Sequence, residues 1–363
     1  MKKRNYGVTE DGRTVDLYDL ANDAGMRVRI LTFGCIIASV EVPDREGRLA
    51  NVVLGLDSLE DYVRRSPHFG AVVGRFANRI ARGRFVIDDA DYRLETNNGP
   101  NALHGGRKGF DKVVWQASRA TGEALILSYL SPDGEEGYPG NLGVNVTYSL
   151  RETNELRIDY EATTDKPTII NLTNHSYFNL AGEGSGDVLG HVVSIEADFF
   201  TPTDATQIPT GEIRSVRGTP FDFTTPEAIG ERIRLADAQL QRGRGYDHNW
   251  VLRRTAGGGV LPAARAFDPK TGRILEVLTD RPGLQFYTGN SLNGALVGPS
   301  GRTYRQSDGL CFETQAFPDA PNQPAFPSAV LRPGEFFHST TVFRFSTDAG
   351  VYKQPTAPAR DGV

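Results

Sequence analysis

The chain is poor in the residues that would announce a redox, zinc-knuckle or membrane function. Its 363 residues include two cysteines, Cys35 and Cys311, each among apolar or aromatic neighbours. Neither belongs to a Cys-x-x-Cys pair, which excludes a redox motif and a zinc knuckle. A disulfide between the two stays open, although a reducing compartment is expected. No run approaches the roughly 18 apolar residues of a membrane helix. The start is basic, but Thr9-Glu10-Asp11 stands where a signal peptide would carry its apolar core. A cytoplasmic location is the resulting expectation, and the Asn-x-Ser/Thr matches at Asn145, Asn171 and Asn174 are then chance. Positive charge is not in excess either. A formal net charge of −5 leaves nothing to neutralise phosphates, which argues against nucleic acid and acidic membranes as partners.

Several catalytic signatures are also missing. His104-Gly105-Gly106 has the form of an esterase oxyanion loop, yet no Gly-x-Ser-x-Gly nucleophile elbow occurs anywhere. Gly182-Glu183-Gly184-Ser185-Gly186 lacks the lysine and spacing of a phosphate-binding loop and reads as a flexible turn. His104, His175 and Glu313 make up a His2Glu donor set, but not at His-Glu-x-x-His spacing, so no metal is expected.

Glycine and proline, by contrast, are plentiful. Forty glycines and 21 prolines imply many turns and fit a β-rich chain. With 39% apolar and 23% charged residues the composition is that of a soluble globular protein. Residues 27–42 are β-branched, with Gly34 as a bend, and 51–56 read as a return strand. Residues 84–94 form a hairpin turning near Asp88-Asp89. Val144, Val146, Tyr148 and Leu150 alternate with polar residues, as do Leu156, Ile158 and Tyr160, which predicts a half-buried antiparallel pair. Residues 191–200, 273–278, 284–287 and 342–345 continue the strand character, and Tyr246-Asp247-His248-Asn249-Trp250 leads into another strand. One segment breaks this pattern. Thr225-Pro226-Glu227 reads as a helix start, and Ile229, Ile233, Ala236 and Leu240 recur at helical spacing, which predicts a single surface helix. No composition shift divides the chain. One large sandwich over residues 1–353 is expected, with a frayed tail at 354–363.

Polar islands interrupt the strands. The densest is Asn171-Leu172-Thr173-Asn174-His175-Ser176-Tyr177-Phe178-Asn179-Leu180. Read as a strand, it sends His175, Tyr177 and Asn179 to one face. A histidine framed by amides, a hydroxyl and an aromatic ring suits sugar hydroxyls and proton transfer; the plain alternative is a structural histidine inside a sheet. Asn78-Arg79, His104 and Asp247 form other islands. Glu313 follows Leu310, Cys311 and Phe312, so it is either a paired structural charge or a base with a tuned pKa.

Six segments in order resemble the aldose 1-epimerases (galactose mutarotases), from about Gly7 to Ser346: Gly74-Arg75-Phe76-Ala77-Asn78-Arg79-Ile80, Asn101-Ala102-Leu103-His104-Gly105-Gly106, the His175 island, Tyr246-Asp247-His248-Asn249, Gln285-Phe286-Tyr287-Thr288-Gly289-Asn290 and Glu313-Thr314-Gln315. Phe76 departs from the smaller apolar residue more frequent in the family. The resemblance implies an all-β fold, a large antiparallel β-supersandwich with few short helices. It also implies interconversion of the α and β anomers of a free hexose. Opening the ring removes a proton from the C1 hydroxyl and delivers one to the ring oxygen, which one base and one acid accomplish. The family pattern makes Glu313 the base and His175 the acid, with His104 assisting near C1 and the ring oxygen. It assigns Asn78, Arg79, Asp247 and Gln285 to the sugar hydroxyls. Tyr177 is either a further contact or a packing wall. No cofactor is required, because neither electrons nor groups are transferred. The partner expected is a small-molecule hexose, and the assembly a monomer or homodimer. Two rivals are an epimerase of phosphorylated hexoses, disfavoured because Arg79 is the only obvious pocket arginine, and a non-catalytic sugar-binding sandwich, disfavoured by the pairing of His175 with Glu313.

Overall fold

The computed structural model describes residues 1–121, 124–255 and 258–348; the tail expected after Lys353 lies outside them. Two antiparallel sheets dominate. The larger runs in spatial order Gln116–Ala120, Ala124–Ser131, Leu142–Arg151, Glu155–Thr164, Phe337–Thr347, Arg273–Thr279, Leu261–Phe267, Val192–Ile195 and Glu227–Ala228. The second runs Arg214–Ser215, Ala197–Thr201, Asp247–Leu252, Gly283–Tyr287 and Cys311–Gln315. Residues of both sheets meet in one apolar core, among them Val146, Ile158, Val277 and Phe343 from the first and Trp250, Leu284, Phe286 and Phe312 from the second. That is the sandwich expected of the alternating pattern. A further sheet, Lys2–Val8 through Leu49–Asn51, covers one end.

Local signals are realised where they were strong. Leu142–Arg151 pairs in register with Glu155–Thr164. The hairpin Arg84–Ile87 with Ala90–Arg93 turns on Asp88 and Asp89, at φ 49° and 64°, as a two-residue turn with left-handed central residues requires. Gly34 is the bend between Arg27–Leu31 and Ile37–Pro43. Its φ is +62°, and a Cβ there would stand 2.4 Å from the Asp111 carbonyl oxygen, so only glycine fits. Of the return strand expected at 51–56, only Asn51 lies in a strand, which runs Leu49–Asn51.

Two expectations are corrected. The single helix starting at Thr225 does not form. Glu227–Ala228 pairs with Val192 and Val193 at the edge of the large sheet, and the helical periodicity is divided between Ile229–Arg232 and Ala238–Gly243. Asp237 starts the second piece by accepting from the Gln239 and Leu240 amides, the ordinary N-cap role. The His175 island is a strand only at Thr173–Asn174, which pairs with Val72 and Val73. Beyond it the backbone is held by irregular bonds, such as Leu54 N–H to the Tyr177 carbonyl. Cys35 and Cys311 are both free and buried, which closes the question of a disulfide.

Candidate active site

The second sheet puts the acidic and amide side chains on one face. Its alternation sends His248, Trp250, Leu284, Phe286 and Phe312 one way and Asp247, Asn249, Gln285, Glu313 and Gln315 the other. Direct cross-strand partners share a face, and Gln285 lies opposite Glu313 and Asn249. Packing agrees with the division, because Trp250, Leu284, Phe286 and Phe312 belong to the apolar core. On the polar side a cavity of about 410 Å³ is lined by Asn78, Arg79, His104, His175, Tyr177, Asp247 and Glu313 among others. Seven of the eight residues singled out from the sequence therefore meet at one hollow. The eighth, Gln285, does not line it and reaches it through Asp247, donating to Oδ1 at 2.7 Å.

The floor of the cavity is made of buried side chains. Glu313, His175 and His104 are all buried, at 2%, 4% and 7% exposure. His175 Nε2 stands 3.7 Å from Glu313 Oε1, too far for a hydrogen bond but within one pyranose. Glu313 Oε2 and His175 Nδ1 are buried without a protein hydrogen-bond partner. Burial pushes the Glu313 carboxyl well above its usual value, and the Asp247 charge adds to this. Burial also pulls the His175 imidazole down to about 3, with the nearby His68 charge in the same direction. Desolvation thus favours the uncharged form of both. His104 sits in the left-handed region at φ 54°, and its Nδ1 accepts the Asn78 amide at 3.2 Å. The neutral ring then carries its proton on Nε2, making it a donor. Gly105, at φ +88°, lets this turn pass the Gly74 carbonyl, from which a Cβ would be 1.8 Å away.

Tyr177 stacks on His175 with centroids 5.0 Å apart and planes at 19°, while its hydroxyl donates to the Pro67 carbonyl. Its ring thus packs as a wall against the imidazole. Asn179, expected on the same face, instead ties down backbone at Gly186 and Asp308, because the segment leaves strand geometry before reaching it. His248 is a core residue bonded to Gln239.

A ring of amides and charges surrounds the floor. Asn78 reaches Gln315, Gln315 reaches Gln285, and Gln285 reaches Asp247. Arg79 stands 3.6 Å from Asp247. Gln207 joins these two, accepting from Arg79 Nη2 at 2.6 Å and donating to Asp247 Oδ2 at 2.8 Å. The sequence reading missed Gln207, which no motif marks and which a left-handed turn (φ 64°) brings to the cavity. It also missed His68, which lines the cavity and whose Nδ1 is 2.9 Å from Asp111. And it took Arg79 as the only pocket arginine, whereas Arg242 and Arg244 line the same cavity. These two stand at a helix end brought there by the fold.

His104, His175 and Glu313 place their ligand atoms within 4.8 Å of one another. Tetrahedral zinc with bonds of about 2.0–2.1 Å requires closer donors, so the trio fits such an ion only after the side chains converge.

The family model for aldose 1-epimerase matches residues 16–344. The chain belongs to the aldose 1-epimerase family. It is 50% identical over 333 residues to the galactose mutarotase of Bos taurus, covering 92% of this chain and 94% of that one. It is 40% identical over 339 residues to the aldose 1-epimerase of Escherichia coli, covering 92% and 96%. Among solved structures, an aldose epimerase homologue from C. elegans superposes with a TM-score of 0.85 at 32% identity, over 91% of this chain and 98% of that one. A galactose 1-epimerase from Lactobacillus acidophilus gives 0.83 at 31%, over 95% and 98%. The all-β mutarotase-like fold expected from the sequence is therefore the fold observed. The protein is an enzyme, an isomerase acting on carbohydrates, which sets aside the non-catalytic rival. No helix among the described residues is long and apolar enough to cross a membrane.

Proposed function

We propose that this aldose 1-epimerase interconverts the α and β anomers of free hexoses such as D-galactose and D-glucose, with Glu313 and His175 as its proton-transfer pair. The observation that carries this is the 3.7 Å approach of a buried carboxyl to a buried imidazole on the floor of a cavity whose walls hold Arg79 and Asp247. The resting pair favours neutral Glu313 and neutral His175, and so holds one transferable proton. The ion-pair form, with carboxylate and imidazolium, has the same proton count and is reached by internal transfer. Hydroxyls donating to Glu313 favour it.

In that form Glu313 takes the proton from the C1 hydroxyl while His175 protonates the ring oxygen, and the C1–O5 bond opens. The His104 Nε2–H donates to an oxygen at C1 or in the ring and stabilises charge growing there. Rotation about C1–C2 and reclosure use the same pair with roles reversed. Asn78, Arg79, Asp247 and Gln285 hold the remaining hydroxyls, Gln285 by orienting Asp247, so that the open chain stays in place until it closes. Two free buried thiols fit a reducing cytoplasm as the compartment. Nothing in this chemistry requires a second subunit, so a monomer suffices and a homodimer is compatible with it.

Polarimetry on freshly dissolved α-D-galactose and α-D-glucose tests this reading. The wild type should accelerate the approach to anomeric equilibrium, and Glu313→Gln should leave only the spontaneous rate while still binding the sugar. Near-normal turnover by that variant would remove Glu313 from the role of base.

A further inference from the structure

Three imidazoles meet in the cavity, and ring opening employs two of them. The third, His68, has its ring centroid 4.8 Å from that of His104 and 5.8 Å from that of His175, to which its plane lies at 25°. His104 and His175 are 5.3 Å apart, so the rings form a compact triangle. The His68 side chain lines the hollow and is 20% exposed. Its Nδ1 stands 2.9 Å from Asp111 Oδ2. Burial alone would raise the Asp111 carboxyl, but the His68 charge and hydrogen bond, with Lys112 adding, hold it below its ordinary value. An ionised carboxylate only accepts, so His68 Nδ1 carries a proton and Nε2 is the atom left over. Among the described residues the ring makes no other hydrogen bond.

Packing alone does not account for this pair. His68 holds left-handed backbone at φ 67°, which is uncommon for a residue other than glycine. Asp111 Oδ1 is buried without a hydrogen-bond partner, and a buried charged pair seldom stabilises more than apolar residues of similar size. What the arrangement achieves is an imidazole locked in rotation through one nitrogen, with the other left for a ligand.

The neighbours indicate which part of a sugar that nitrogen meets. Burial comes first in shifting all three floor residues; beyond it, Asp247 adds to the rise of Glu313, and His68 adds to the fall of His175 and His104. Glu313 therefore lies toward Asp247, and His175 toward His68. With the C1 hydroxyl at Glu313 and the ring oxygen at His175, the hydroxyls that follow C1 round the ring fall on the Asp247 side. The substituent that follows the ring oxygen, the hydroxymethyl group on C5, falls on the His68 side.

We propose that His68, locked by Asp111, is a further substrate-binding residue, which hydrogen-bonds the 6-hydroxyl of the hexose through Nε2 and makes the site favour sugars that carry it. This rests on the reading of Glu313 and His175 as the pair at C1 and the ring oxygen. A hydroxyl both donates and accepts, so the bond forms whether Nε2 holds a lone pair or a proton.

Magnetisation-transfer NMR at anomeric equilibrium gives kcat and KM for D-glucose, 6-deoxy-D-glucose and 2-deoxy-D-glucose without pure anomers. In the wild type, kcat/KM for glucose should exceed that for 6-deoxyglucose by roughly 2–10-fold, the effect of one neutral hydrogen bond. His68→Phe keeps a ring beside His175 and removes both nitrogens. Its KM for glucose should rise by a similar factor, with a smaller change in kcat, and the ratio of glucose to 6-deoxyglucose should fall to about one. Its penalty on 2-deoxyglucose should match that on glucose. Because this variant leaves Asp111 buried without its partner, His68→Phe/Asp111→Asn repeats the measurement with the charge removed. A wild-type ratio at or below one overturns the inference, as does a ratio that both variants leave unmoved. A fall in kcat shared by all three sugars would make His68 a mere prop for His175 and overturn it too. So would a penalty that vanishes on 2-deoxyglucose and persists on 6-deoxyglucose. In each of these cases glucose is still anomerised and the reading of the floor stands. If the wild type anomerises none of the three sugars, that reading falls and this inference with it.

Discussion

The floor and the mouth of the cavity are made by different means. Glu313 projects from the last strand of the second sheet and His175 from the segment just past Thr173–Asn174, and both are buried. Gln207, Arg242 and Arg244 come from a loop and a helix end, and two of the three hold left-handed backbone. At the floor, burial pushes the Glu313 carboxyl up and the His175 imidazole down, which favours the uncharged form of both. At the mouth, side chains remain hydrated and act through charge and hydrogen bonds. The floor should therefore govern rate, and the mouth should govern which sugar enters and how tightly it is held.

The sharpest break of that division would come from the floor itself. Glu313→Gln should reduce kcat by at least about 10³-fold, and His175→Asn by roughly 10²–10⁴-fold, the range expected for loss of an acid–base group, with KM little changed. A variant that raised KM instead would move that residue into the holding set. The pH profile sharpens the same point. Activity requires His175 uncharged and Glu313 protonated in the free enzyme, one proton for the pair. The kcat/KM curve should thus be bell-shaped, with an acid limb belonging to His175 near its lowered value of about 3. The alkaline limb belongs to Glu313 and lies well above the ordinary carboxyl value of 4.5. An acid limb at the ordinary imidazole value of 6.5 would show that the floor is wetter than its burial implies.

Smaller effects are expected toward the mouth. Asp247→Asn removes a charged hydrogen bond worth about 1.5–3 kcal/mol, so KM should rise by roughly 10–100-fold while kcat falls less. An unchanged affinity would count against Asp247 as a sugar holder. Gln207→Leu removes the hydrogen bonds that tie Arg79 to Asp247 but leaves both charges in place, and should raise KM by roughly 2–10-fold. A larger loss of kcat than of affinity would place Gln207 with the floor.

The legible parts of the molecule were those specified locally. Asp88 and Asp89 announce their turn, and the alternation on either side of residues 152–154 announces its strand pair, because each pattern is satisfied by immediate neighbours. Helical spacing through Ile229, Ile233 and Leu240 was equally visible, but edge pairing of Glu227–Ala228 with Val192 and Val193 overrode it. Such a contact spans more than thirty residues of chain and leaves no local trace. The site divides in the same way. Glu313, His175 and His104 stood out as polar residues in apolar or glycine-rich settings, and Arg79 and Asp247 through their family segments. Gln207, His68, Arg242 and Arg244 had ordinary surface surroundings in the sequence, and only their left-handed turns and the helix end bring them to the cavity.

By itself the sequence determined the β-rich class, and it carried the family segments that hold Asp247, Gln285 and Glu313. The first depends on residue type and a period of two, which the chain carries along its length; the second depends on short runs of neighbouring residues. Tertiary structure alone decided that the carboxyl and the imidazole share a buried floor, that Gln207 spans Arg79 and Asp247, and that Arg242 and Arg244 line the same cavity. Burial and long-range proximity are properties of the packed sheets, and no stretch of chain holds them until the sheets have closed.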